Sequence, residues 1–462
     1  MVRWMILSLV LLVSFTSTGD ERLAAANKLL LNQLDFILLA SPNDEMRQLK
    51  IELASSSPES IQQASATIAG FWQNNAIETR FDSQVHFQDP YTQALATEPQ
   101  VDNYLQVSNR LKYLLWLEEN QAWPAIAPGV WLHLGDQHID IPMISKRLNL
   151  LGDHPQADTD SRTFTESLHQ AVLRFQRRHG LKQDGIIGPA TVRWLNWSPF
   201  RRAQALASNF VEQHRYLASV EPTYLLINIP EYQMVLVDHG NIALSSKVIV
   251  GKPYRQTPLI KGQVSNLVLN PSWRVPRRLL KYDLLPKVRE DGSYITARDF
   301  EVFDYSGEKV TKSDEEWRDI AKGPFHYRLV QKPGESNTLG RYKFFFANQY
   351  NIYLHDTTDK HLFAKDIRAL SSGCIRVEKV EQLANWMASH LVRDKQTWVD
   401  MQIERTKTQW FAFDEKLPLH LVYWTSWLDR QNTPQYRDDI YNKNQRTNQL
   451  NSNTIRAQTQ VP

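Results

Sequence analysis

The feature that most limits what this chain can fold into is a single change of hydrophobic period near residue 222. Upstream, apolar residues recur at helical spacing. Leu23, Ala26, Leu29, Leu30 and Leu34 share one stripe, and Leu105, Leu111, Leu114, Leu115 and Leu117 share another. Downstream, β-rich runs follow one another across short turns: Tyr224 to Ile229, Tyr232 to Val237, Ile242 to Val250 and Val264 to Leu269. A chain that switches period and stays switched predicts separate helical and β modules, a multidomain α+β protein. Its 462 residues leave room for two to four domains, and 42% hydrophobic residues suffice for real cores. The formal net charge of +3 lacks the concentrated basic footprint of a nucleic-acid binder, so no nucleic-acid partner is expected.

The first residues point to export. Arg3 precedes an unbroken apolar run from Trp4 to Phe15, and small polar residues follow through Gly19. A positive start, a short apolar core and a small-residue exit describe a secretory signal over residues 1–19. Ser17 and Gly19 fit a small-x-small cleavage site, and retention as a membrane anchor is the alternative. The run is short for a span, which takes about 20 apolar residues, and no other segment is expected to reach that length. An exported chain with one cysteine forms no internal disulfide, so Cys374 is either well buried or employed in chemistry.

Residues 20–139 read as a helical scaffold domain without a catalytic pattern. Residues 140–198 form a compact three-helix unit. Ile144, Leu148 and Leu151 face inward before Gly152, then Leu168, Val172 and Phe175 before the cap at Gly180, then Trp194 and Leu195. Its second and third helices carry Phe175-Gln176-Arg177-Arg178-His179-Gly180-Leu181 and Asp184-Gly185-Ile186-Ile187-Gly188-Pro189-Ala190-Thr191. The unit resembles the small peptidoglycan-binding domain, whose signature is F-Q-x-x-x-G-L followed by D-G-x-x-G-x-x-T. Residues 199–222 read as a linker helix. Residues 223–405 form a mostly antiparallel β domain with further strands at Tyr342 to Phe346 and Ile352 to His355, and a helix from Val380 to His390. Residues of about 275–335 break the strand rhythm with charge and a helical stretch near Glu315 to Ile320. They read as an inserted lid, the alternative being a surface excursion. Residues 406–441 are expected to add a C-terminal strand around 418–424, and residues 442–462 a disordered tail.

Two segments carry the chemistry. Tyr353-Leu354-His355-Asp356-Thr357 ends a strand, and Ser371-Ser372-Gly373-Cys374-Ile375-Arg376-Val377 comes after a loop. A cysteine nucleophile must be a thiolate, and an ordinary thiol of pKa about 8.5 is only slightly ionised at neutral pH. His355 beside Cys374 could take that proton and stabilise the thiolate as an ion pair. Gly373 lets the backbone approach a substrate closely, and the amides of Gly373 and Cys374 are natural oxyanion donors. A metal reading through His355, His361, Asp356 and Asp359 has no standard ligand spacing, so no metal and no cofactor are expected.

These segments resemble the L,D-transpeptidase catalytic domain, whose pattern is a histidine, a loop, then S-H-G-C with an arginine two places on. The chain matches at His355, Ser371, Gly373, Cys374 and Arg376. It departs at Ser372, where S-S-G-C is the form of the large Gram-negative members. Asn270-Pro271-Ser272-Trp273 with Val275-Pro276, and Leu339-Gly340-Arg341-Tyr342-Lys343-Phe344, are similar to those members too. The resemblance implies an exported periplasmic enzyme of cell-wall biogenesis and cell shape. It implies Cys374 as nucleophile, His355 as base and acid, and tetrapeptide stems as donor and acceptor of 3→3 cross-links. Sensitivity to carbapenems is implied as well. Arg376 would hold a substrate carboxylate or else form a structural ion pair, Ser371 and Ser372 would shape the loop, and Tyr353 and Trp273 would line the cleft. Cell-wall synthesis proteins are possible partners, and the membrane is one only if the N-terminal segment is retained. The alternatives are a carboxypeptidase or cross-link hydrolase using the same Cys/His pair, and a non-catalytic wall-binding scaffold.

Overall fold

A computed structural model describes residues 2–55 and 57–444, with side chains from residue 19 on. The side chains of the expected signal run lie outside the described residues, as does the expected tail of 442–462 from residue 445 on; its first part is ordered instead, with the Lys443 and Asn444 amides donating to Asp439. The chain divides into two compact units, one made of residues up to 220 together with those from 424, the other of Glu221–Tyr423.

The first unit is built from helices α1 (Val2–Ala40), α2 (Asp44–Glu52), α3 (Pro58–Asn74), α4 (Pro90–Ala96), α5 (Tyr104–Asn120), α6 (Ile141–Leu150), α7 (Glu166–Arg178), α8 (Pro189–Leu195) and α9 (Pro199–Leu217). Starts follow local chemistry: Asn43, Ser57, Asp89, Thr165 and Ser198 each cap a helix with a side-chain oxygen. Ala26, Leu30, Leu34 and Ile37 of α1 are buried, and Phe36 packs edge-on to Trp72 and stacks on Tyr104. The segment Gly19–Ala40 is long and apolar enough to cross a membrane by length and composition, which the sequence reading did not anticipate. That apolar stripe is packed into the helical core. The α5 stripe also differs from expectation: Tyr104, Val107, Leu111, Leu114 and Leu117 are buried, while Leu105 is exposed. At 100° per residue, position 105 turns away from the face that positions 104, 107 and 111 share.

The three-helix module over α6–α8 shows what its motif residues do. Gln176 donates to Asp184 Oδ1 and to the Ile186 carbonyl, and accepts from the Gly185 amide, all at 2.9 Å. Gly185 has φ +68°, and a Cβ there would lie 1.9 Å from His169 Nε2, so any side chain at this turn is strained and displaces the imidazole. Arg178 and Asp153 form a buried two-point ion pair at 2.7 and 2.6 Å. The chain's C-terminal part completes the module. Strands β14 (Ser426–Leu428) and β15 (Pro434–Tyr436) pair as a hairpin that stacks Tyr436 on His179. Asp438 accepts from Arg193 and from the Trp194 indole.

The second unit holds β1 (Tyr224–Asn228), β2 (Gln233–Asp238), β3 (Asn241–Gly251), β4 (Ile260–Leu269), β5 (Trp273–Arg274), β6 (Phe300–Phe303), β7 (Lys309–Val310), β8 (Arg328–Gln331), β9 (Tyr342–Phe346), β10 (Leu354–His355), β11 (Ala369–Ser371), β12 (Ile375–Val377) and β13 (Gln409–Val422). The main sheet runs β11-β3-β12-β10-β9-β4-β13-β1-β2, and β2 also pairs with β3, so the sheet closes on itself. Closure removes most exposed edges. Pairings are mostly antiparallel, but β1–β13, β10–β12 and β11–β3 are parallel. The strand expected over 418–424 is Gln409–Val422, an interior strand between β1 and β4.

Residues 273–331 form a second sheet, β5-β8-β6-β7, with its own core of Trp273, Leu280, Val288, Val302, Trp317 and Leu329. The expected helical stretch is Asp314–Ile320, capped by a Ser313/Glu316 box.

Candidate active site

Alternation in the sheet decides which side chains meet. Phe344 of β9, Leu354 of β10 and Ile375 of β12 are in register and fully buried, so they define the core face. The next residue of each strand points the other way. Lys343 is registered with His355, and His355 with Arg376, so these three form a row across the opposite face. One step back on β10 is Tyr353, whose carbonyl accepts from the Ile375 amide, which sets Cys374 beside it. Cys374, Tyr353 and His355 therefore share one face, on strands spaced about 4.8 Å apart. The sequence expectation that a strand end and a loop bring Cys374 and His355 together is realised by this parallel pairing.

Hydrogen bonds fix the turn before the thiol. Ser371 Oγ donates to the Cys374 carbonyl at 2.5 Å and accepts from the Gly373 amide at 3.1 Å. Thr257 Oγ1 donates to the Gly373 carbonyl at 2.8 Å and accepts from the Gly251 amide at 2.9 Å. Gly373 sits at φ +118°, a region that disfavours any side chain. Of the two expected oxyanion donors, the Gly373 amide is engaged by Ser371, whereas no acceptor faces the Cys374 amide among the described residues. Ser372 Oγ accepts from Arg255 Nη1 at 2.8 Å, and the same nitrogen donates to Asp283 Oδ2 at 2.6 Å. Asp283 belongs to the inserted segment, so one guanidinium joins that segment to the S-S-G-C turn.

Tyr353 and Trp273 are closer to the chemistry than cleft lining alone. The Tyr353 side chain lies where its hydroxyl interacts with both the Cys374 thiol and the Trp273 side chain, and the phenol lowers the thiol's pKa. Tyr353 also packs against the insert's core, where Trp273 is buried. The phenol ring lies 5.6 Å from the His355 ring, and the Lys343 ammonium 4.1 Å from the phenol centroid.

Electrostatics set the resting protonation. Burial, then the neighbouring Arg376, with Lys343 adding to it, push His355 down to about 3. Burial raises the Cys374 thiol, against the backbone and hydroxyl of Tyr353 and the charges of Lys343 and Arg376, which lower it. The site thus rests as neutral imidazole and thiol, and the imidazolium that the sequence reading expected to face the thiolate is disfavoured here. Among the described residues no side chain hydrogen-bonds the ring's Nδ1. Asp356 spends its carboxylate on the Arg341 and Thr357 amides and on Lys360, while backbone groups of Asp356 and Leu339 act on the imidazole. Arg376 Nη1 donates to Asp359 at 3.0 Å and to Thr357 at 3.3 Å, which favours the structural alternative for that residue.

Lys343, Arg255, Thr257 and Asp283 had no role in the sequence reading. Alternation along β9 could have found Lys343, which points away from the core between Tyr342 and Phe344. Arg255 and Asp283 are far from Ser372 in sequence and left no signal.

Residues 222–404 match the family model described as the L,D-transpeptidase catalytic domain (YkuD), and residues 137–195 match the "Putative peptidoglycan binding domain". The chain thus carries one segment similar to the L,D-transpeptidase catalytic domain and another similar to a peptidoglycan-binding domain. A curated relative from Haemophilus influenzae, named "Putative L,D-transpeptidase", is 36% identical over 228 residues, 48% of this chain and 45% of the relative. The match thus spans under half the length of that relative. Solved L,D-transpeptidases from Xylanimonas cellulosilytica and Stackebrandtia nassauensis are 12% and 10% identical. They cover 65% and 64% of this chain and 100% and 97% of their own, with TM-scores of 0.19 and 0.23, too low to bear on fold or function.

Proposed function

We propose that the chain is a peptidoglycan L,D-transpeptidase that forms 3→3 cross-links through a Cys374 thioester. The observation that carries this is the shared face of Cys374, Tyr353 and His355, behind a turn that leaves the Cys374 amide free. The Cys374 sulfur attacks the carbonyl carbon of the L-centre third residue in a donor tetrapeptide stem. The oxyanion takes the Cys374 N–H. The C–N bond to the terminal D-alanine breaks, and His355 passes the thiol proton to the leaving amine. The side-chain amine of a second stem then attacks the thioester: the new C–N bond forms, the C–S bond breaks, and the amine proton passes through His355 to the sulfur, restoring the thiol. A neutral His355 suits a relay that carries the proton briefly rather than storing it. We assign Arg376 to holding the loop after β10, and Ser371 and Ser372 to shaping the turn.

Chemistry on wall peptides places the protein outside the cytoplasm, with peptidoglycan stems as partners. The same acyl-enzyme would make it a carbapenem target. The test is incubation with disaccharide-tetrapeptide and mass analysis of the products. Cross-linked dimer from the wild type and none from C374A supports the proposal. Tripeptide alone indicates hydrolysis, and unchanged substrate a scaffold.

A further inference from the structure

Three cationic or basic groups lie in one row across β9, β10 and β12: Lys343, His355 and Arg376. Their charge balance is unequal. Arg376 is paired with Asp359 at 3.0 Å. His355 is buried and neutral. Lys343 is half-buried, and among the described residues no carboxylate pairs with it and no hydrogen bond is made by its ammonium. A partly buried cation without an anion is costly unless it serves one. Its ammonium lies 4.1 Å from the centroid of the Tyr353 ring, whose hydroxyl meets the Cys374 sulfur. The ionisable group that acts on it is Cys374.

We propose that Lys343 is the resident counter-charge of the Cys374 thiolate, the part that the sequence pattern would otherwise give to a protonated His355. Arg376 is the other cation facing the thiol, but Asp359 offsets it. Arg255 reaches Ser372 beside the thiol and is offset by Asp283. Tyr353 faces the sulfur as a neutral hydrogen-bond group. Lys343 therefore supplies the unbalanced positive charge when the thiol ionises, and by repulsion it helps keep His355 neutral. Lys343 is a positioning residue for charge and takes no proton in the reaction.

This rests on Cys374 being the nucleophile, and the test reads the thiol itself so that the two ideas fail separately. Full-length wild type, K343M, K343Q and K343R are alkylated with iodoacetamide from pH 6 to 10, with the modified residue located by mass. An opposite charge at close range moves a pKa by about 1–3 units. The alkaline limb of K343M and K343Q should therefore move up by about one pH unit or more, with roughly tenfold slower alkylation at pH 7.5. K343R should restore most of it. With tetrapeptide substrate, kcat should fall in parallel while KM changes little. An unchanged alkylation profile in both neutral variants overturns the inference, as does a loss confined to KM, which would make Lys343 a substrate-carboxylate ligand. A shifted profile in a protein that forms no cross-link keeps this inference and removes the proposed activity.

Discussion

Ser371→Ala is the perturbation whose consequence is most directly worked from the geometry. The hydroxyl is buried and makes two bonds inside one turn, to the Cys374 carbonyl at 2.5 Å and from the Gly373 amide at 3.1 Å. Each such bond is worth about 1 kcal/mol net, and a buried group left unpaired costs about 1–3 kcal/mol. Thr257 still holds the Gly373 carbonyl, so the turn loosens without being lost. A loss of about 2 kcal/mol in holding Cys374 on target corresponds to roughly 30-fold in rate if all of it appears in the barrier. S371A should therefore acylate about 10- to 30-fold more slowly, monitored as thioester formation by quenched-flow mass analysis. Its catalytic unit should also unfold at lower urea. Acylation within twofold of wild type would refute the idea that this hydroxyl organises the nucleophile.

Two more outcomes come from buried charge and burial of imidazole. D153A leaves Arg178 buried without its partner in the three-helix module, which should destabilise the helical unit by about 3–5 kcal/mol in urea unfolding; a shift below 1 kcal/mol would show that water reaches the site. His355 is pushed down to about 3 and His179 well below its ordinary value by burial, so both stay neutral when folded and bind protons once unfolded. Stability from these groups is complete above the unfolded value near 6.5 and is lost as pH falls toward the folded values. The urea midpoint should be flat from pH 8 to 7 and drop steadily below 6.5, less so in H355Q; a midpoint that rises toward pH 5 would contradict this.

Much of the candidate site was legible because its signals are local. A histidine ending a strand and a Gly-Cys turn carry their chemistry in adjacent residues, and alternation alone places Leu354 and Ile375 in the core. The Gln176 and Gly185 turn was legible for the same reason. What escaped reading depends on distant pairing. Leu105 looked equivalent to its neighbours until the buried face was fixed by Tyr104 and Val107. The insert hid its four strands because each is only two to four residues long, too short to display a period of two. The Arg255–Asp283–Ser372 link joins residues with no shared pattern, and the hydroxyl contact from Tyr353 to the thiol needs the parallel register of β10 and β12. The signal over residues 1–19, its cleavage and the tail from residue 445 remain expectations from sequence.

The central claim is that the Cys374 sulfur becomes the acyl carrier. Its most direct test is intact-protein and peptide mass measurement after rapid quenching with disaccharide-tetrapeptide. The account predicts a thioester on Cys374 whose added mass is the muropeptide less D-alanine, discharged when acceptor stem is supplied. A productive reaction with Cys374 unmodified throughout, or with the acyl group carried by another residue, would contradict it.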